Sequence, residues 1–179
     1  MKKTAKNTGP AWSHPVAVAT LHGENHLRLV PDEPTRKAIA RALGLHAVDR
    51  LEARLAVSHA QNGLVGIEGE LEADVQPICV VTLDPFPQSI REPVSLRLAP
   101  TELVERMTKR AEEDENEDFE PPDMIENGTI DFGALVVEFL ALALDPYPRK
   151  PGAEFAGGDP AEPKPSPFEA LKALKIDKE

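Results

Sequence analysis

The side chains able to do chemistry are few and scattered. Five histidines, His14, His22, His26, His46 and His59, are spread through the first third of a 179-residue chain. His22 and His26 have the i,i+4 spacing that would hold zinc on a helix, with Glu24 as a further ligand. Gly23 between them argues for a loop instead, and no zinc site is expected there. The single cysteine, Cys79, sits in the apolar run Ile78 to Leu83 with no histidine, lysine or helix start evident to activate it. It reads as a buried, inert thiol, and one cysteine makes neither an internal disulfide nor a Cys-only zinc site. Asp131 and Glu138 are the best carboxylate pair for a metal-dependent hydrolase acting on RNA. Seven residues apart on one helical face, they stand about 10 Å apart along the axis, too far for one ion without other ligands. The plainer reading of Glu138 pairs it with an arginine such as Arg91 or Arg97. Phosphate-loop, dinucleotide, HExxH and GxSxG motifs are all missing. No catalytic, cofactor-binding or metal residues, and no cofactor, are predicted.

The elements that position these residues follow from local signals. Val16 to Leu21 and Leu27 to Val30 read as short strands. Asp32 caps a helix that tolerates Pro34 in its first turn, runs to Leu43 and stops at Gly44. Arg36, Lys37 and Arg41 lie opposite its apolar face, as a solvated side or a basic ridge. Leu51, Ala53, Leu55 and Val57 alternate with Glu52, Arg54 and Ser58, and Asn62-Gly63 supplies a hairpin turn. The return strand, Val65 to Val75, sets apolar residues and Gly69 against Glu68, Glu70, Glu72 and Asp74, so one face packs and the other is wet. Gly69 on the packed side suits a close approach by another element. Ile78 to Leu83 reads as a denser, more central strand, and Ile90 to Leu98 as another, with Pro93 marking an edge or bulge. Thr101 caps a short helix carrying Leu103, Val104 and Met107. Asp131 caps Phe132 to Leu144, a helix so apolar that burial on more than one side, across the sheet, is expected. The fold class is α+β: an antiparallel sheet or small open barrel packed by this central C-terminal helix.

Charge divides the chain. Twenty Lys and Arg against thirty-one Asp and Glu give −11, which argues against broad non-specific nucleic-acid binding. Residues 1–50 carry +4 (eight basic, four acidic), whereas 101–145 carry −11 (three basic, fourteen acidic). The run Glu112 to Asp118 predicts a flexible acidic loop over about 110–124, either simply solvated or a lure for a basic partner. Three segments are expected: a disordered basic arm over 1–14, one α+β domain over 15–148, and an extended proline-rich tail over 149–179. The tail ends in a short amphipathic helix capped by Ser166, with Phe168, Leu171 and Leu174 in a stripe. Such a helix is not stable alone and docks either on its own domain or on a partner. No membrane-spanning run or secretory leader is found, and a cytoplasmic location is expected.

Several stretches together resemble the YceD-like family: the strand Val65 to Val75, Cys79 within QPICVVTLDPFP, the block IENGTIDFGALVVEFLALALDPYP, and the tail PSPFEALKALK. Matching positions are Cys79, Gly128, Ile130, Asp131, Glu138, Leu142, Pro146, Pro148, Pro167, Phe168, Leu171 and Leu174. Thr82 stands where the family often has the second cysteine of a CxxC, and the later cysteines of some members are missing around Arg149 to Gly152, which leaves a zinc-stabilised form unsupported. The resemblance implies a non-enzymatic role in ribosome biogenesis, in the synthesis, processing or accumulation of large-subunit ribosomal RNA. The expected partner is a basic ribosomal protein or a large-subunit assembly intermediate, with local or indirect contact to rRNA and none to membranes. Asp131, Glu138, Phe168, Leu171 and Leu174 are the candidate partner-binding residues. A metal-dependent RNA-processing hydrolase is the alternative.

Overall fold

The computed structural model describes residues 10–60, 62–114 and 118–154. Five strands form an open sheet in the order β2–β3–β4–β5–β6: β2 (Gly23–Leu29), β3 (Ala47–His59), β4 (Val65–Gln76), β5 (Gln88–Pro100) and β6 (Asp123–Ile125). A two-stranded ladder joins β1 (Pro15–Ala17) to β7 (Thr129–Asp131). The helices are α1 (Glu33–Leu43), α2 (Thr101–Glu113) and α3 (Phe132–Ala143). The α+β class holds, as an open sheet with two edges rather than a barrel. One pairing departs from the antiparallel expectation: β6 runs parallel to the end of β5, with Leu98 opposite Asp123. The reason is α2, which carries the chain back between them as a crossover, and a crossover returns the strand in the same direction.

The hairpin forms where its turn residues place it. Gly63 takes φ +89°, Leu64 N–H donates to Asn62 Oδ1 (3.1 Å), and β3 and β4 pair over their whole length save one irregularity between Val48 and Arg50. Gly69 does allow a close approach, but by the neighbouring strand: a Cβ there would lie 2.0 Å from the Arg54 carbonyl oxygen. Helix α1 begins and ends as its sequence predicts, with Thr35 N–H donating to Asp32 and Gly44 left-handed at φ +68°.

The core fills one side of the sheet. Leu51, Leu55, Val57, Ile67, Leu71 and Val75 meet Ile39 of α1 and Phe132, Val136 and Leu140 of α3. Helix α1 packs on β3, and α3 packs on β4 and β5 with β1 against its start. The sheet and the N-terminal segment thus pack two sides of α3, while its outer side stays open: Glu138 is exposed and Leu142 is 76% exposed.

Three further expectations change. Ile78 to Leu83 is not a strand. It is a tight loop between Pro77 and Pro85, closed by Cys79 N–H to Asp84 O and Leu83 N–H to Cys79 O, and β5 takes the place beside β4. Leu83 adopts φ +61° and stands 76% exposed. Helix α2 is longer than its apolar residues indicate and enters the acidic run. Lys109–Glu113 and Arg110–Asp114 pairs at i,i+4 support that last turn, so 110–113 are helical rather than loop. Finally, Ser13 and His14 at the end of the expected arm bond to Asp131 at the start of α3, whereas 1–9 lie outside the described residues.

Candidate functional site

Three surfaces hold the chemistry-bearing residues. The first surrounds Asp131, at the junction of β7 and α3. Its carboxylate accepts from Ser13 Oγ (2.6 Å), His14 N–H (2.7 Å) and Ala134 N–H (3.1 Å), and Phe132 N–H donates to His14 O (3.1 Å). Burial pushes this carboxyl up, but those donors outweigh it and hold it below the usual range. Two residues on, a Cβ on Gly133 would lie 2.8 Å from His14 N, so the glycine admits the N-terminal segment. Asp131 and Gly133 of the IDFG motif therefore dock residues 13–14 on the helix start. Glu138 lies on the exposed side of the same helix and makes none of the ion pairs found among the described residues. Arg91, one of its expected partners, is bound to Glu72 instead.

The second surface is the wet face of the sheet. Register places Glu52 directly opposite Glu72, a like-charge pair that is unfavourable by itself. Four guanidinium groups compensate. Arg28 (2.9 Å) and Arg54 (2.7 Å) hold one oxygen of Glu52; Arg50 reaches Glu72 (2.7 Å) and the other Glu52 oxygen (3.5 Å); Arg91 binds Glu72. The hydrogen bond from Arg28, aided by the nearby positive charges, keeps the Glu52 pKa at about 2 against its partial desolvation. Arg50 and then Arg91 lower Glu72 likewise. Glu52 is the sole buried charged residue described, and sequence reading passed over it. Alternation marked it as a wet-face residue; only the register reveals that four arginines enclose the pair.

The third surface lies around Cys79. Its buried Sγ accepts three backbone N–H groups, from Lys150 (3.3 Å), Val81 (3.4 Å) and Thr82 (3.5 Å). Lys150 N–H first, opposed by burial and joined by Thr82 and Val81, lowers the thiol to about 7. The buried thiol is as expected; the donors are not, because one comes from 71 residues away. With Val80 N–H donating to Pro148 O (2.9 Å), they staple the 77–87 loop to the chain leaving α3. Beside the staple runs an apolar groove of about 440 Å³, lined by Leu43 at the end of α1 and Leu45 just after it, Ile78 and Val80 of the loop, Ala141 of α3 and Leu144, which caps α3.

Elsewhere, Arg36, Lys37 and Arg41 rim a cleft of about 690 Å³ between α1 and β3 that also takes in Glu33, His46 and Asp49. Phe168, Leu171 and Leu174 lie outside the described residues. No three His, Cys, Asp or Glu side chains gather as metal ligands among the described residues, and no described helix is long and apolar enough to cross a membrane.

The described residues thus define an α+β protein with a charged open sheet face, an apolar groove, and carboxylates engaged in holding the structure together. The family profile described as "Large ribosomal RNA subunit accumulation protein YceD" matches residues 67–175, more than half of the chain, and the chain belongs to the YceD family. Membership carries a role in the accumulation of large-subunit ribosomal RNA, and the family is one of ribosome-assembly factors rather than a known family of enzymes. The matched stretch begins within β4, so β1, β2, α1 and β3 precede it. No curated protein and no solved structure matches the chain.

Proposed function

We propose that this chain supports large-subunit rRNA accumulation without catalysis, by binding a basic ribosomal protein or an assembly intermediate that contains one. The observation carrying this reading is the family match over 67–175, which spans both the acidic end of α2 and the tail stripe. Glu112 and Glu113 end α2, Asp114 caps it, and Asp118 and Glu120 follow, all exposed, so a basic partner meets a concentrated negative field. Phe168, Leu171 and Leu174 supply apolar anchors for a helix-in-groove contact. Contact with rRNA is then local or indirect. No observation favours the hydrolase alternative: Asp131 has its oxygens engaged by Ser13, His14 and Ala134, and Glu138 stands away on the open side of α3. Purification of the tagged full chain, with identification of its partners by mass, tests the proposal. Large-subunit proteins are expected at low salt. Their absence, or capture unchanged in the double variant Phe168→Ala, Leu171→Ala, contradicts it.

A further inference from the structure

We propose that the apolar groove beside Cys79 is the docking site for residues 166–176 of this same chain. Apolar side chains at the groove's wall stay open to solvent: Ile78 is 43% and Val80 45% exposed, with Leu142 and Tyr147 open nearby in sequence. The candidate occupant carries an apolar stripe, Phe168, Leu171 and Leu174, which needs a surface to order against. The chain itself brings them together. Pro146 and Pro148 form part of the groove's lining, and the bonds from Val80 N–H to Pro148 O and from Lys150 N–H to Cys79 Sγ fix the point of departure at its rim. From the last described residue, Glu154, residues 155–165 reach roughly 36–40 Å when extended. A ten-residue helix is about 15 Å long. The stripe can therefore return to the groove without strain, at an effective concentration on the order of millimolar. Asp145 in the groove's lining complements Lys172 and Lys175 on the segment.

Docking in this way keeps the anchors covered until something competes for them, so a partner that takes Phe168 must first displace it. The inference does not rest on the partner reading, because it concerns the purified chain alone. Its test replaces Phe168 by benzoylphenylalanine in the full chain and irradiates a dilute solution. The expected product is a monomer cross-linked to peptides containing 77–81 or 141–148, and Val80→Glu loses that link. As a second measurement, Leu174→Asp shifts the methyl resonances of Ile78, Val80 and Leu144. Links confined to other parts of the chain, links between two copies, no link at all, or methyl resonances unmoved by Leu174→Asp would each overturn the proposal.

Discussion

Asp131 does two jobs with one carboxylate, since it caps α3 and clamps Ser13 and His14. Its removal should therefore act on stability and leave surface chemistry alone. Asp131→Ala is expected to cost about 1–2 kcal/mol, the range for a lost helix cap, and to lower Tm in a thermal melt. Asp131→Asn, which keeps an acceptor, should cost less; equal losses would mean that charge alone matters. At Glu52 the effect reads out in pH. Its folded pKa of about 2 lies below the ordinary 4.5, so its contribution is complete above 4.5 and is lost as pH falls through 2. Denaturant midpoints measured across that window should fall less steeply for Glu52→Gln than for the parent; parallel curves would refute this. Cys79→Ala removes the acceptor of three N–H groups, and amide exchange at Lys150 and Thr82 should quicken while that at β4 stays slow.

Elements were legible in the sequence where a local signal decided them. Asn62-Gly63, Asp32, Gly44 and Asp131 each fix a backbone conformation within a few residues, and α1, the β3–β4 hairpin and the start of α3 follow. Where the deciding contact is distant, the signal failed. The run Ile78 to Leu83 has strand composition, yet its N–H groups turn to Cys79 and Pro148, and periodicity does not distinguish that from a ladder. The apolar circumference of α3 overstates its burial, because the side carrying Glu138 and Leu142 is left open. The Glu52–Glu72 cluster depends on cross-strand register, which alternation along each strand leaves undefined. Gly69 is a point of close approach, and the approaching group is the backbone of β3. Gly69→Ala forces the Arg54 carbonyl aside, and a loss of roughly 1–3 kcal/mol is expected in chemical denaturation. A loss under a few tenths would show that the hairpin yields freely.

At the scale of the molecule, charge and apolar surface are separated. The basic residues of the sheet face are largely matched by carboxylates, whereas Glu112, Asp118 and Glu120 take part in none of the ion pairs found among the described residues. An acidic surface of this kind acts at a distance, so partner association should slow as salt rises and dissociation should change less. Of the candidate partner-binding residues, the structure gives Asp131 an internal task and leaves Glu138 on an open helix face. The tail stripe is legible in the sequence through the spacing of Phe168, Leu171 and Leu174. What it binds was not legible, because a stripe records only that burial is needed. The most direct test of a non-catalytic, partner-binding role compares mature large-subunit rRNA in cells lacking this protein after they receive one of three chains: the parent, Glu138→Gln, or Phe168→Ala with Leu171→Ala. The account predicts that the parent and Glu138→Gln restore the rRNA equally while the tail variant does not. Restoration by the tail variant and failure of Glu138→Gln would contradict it.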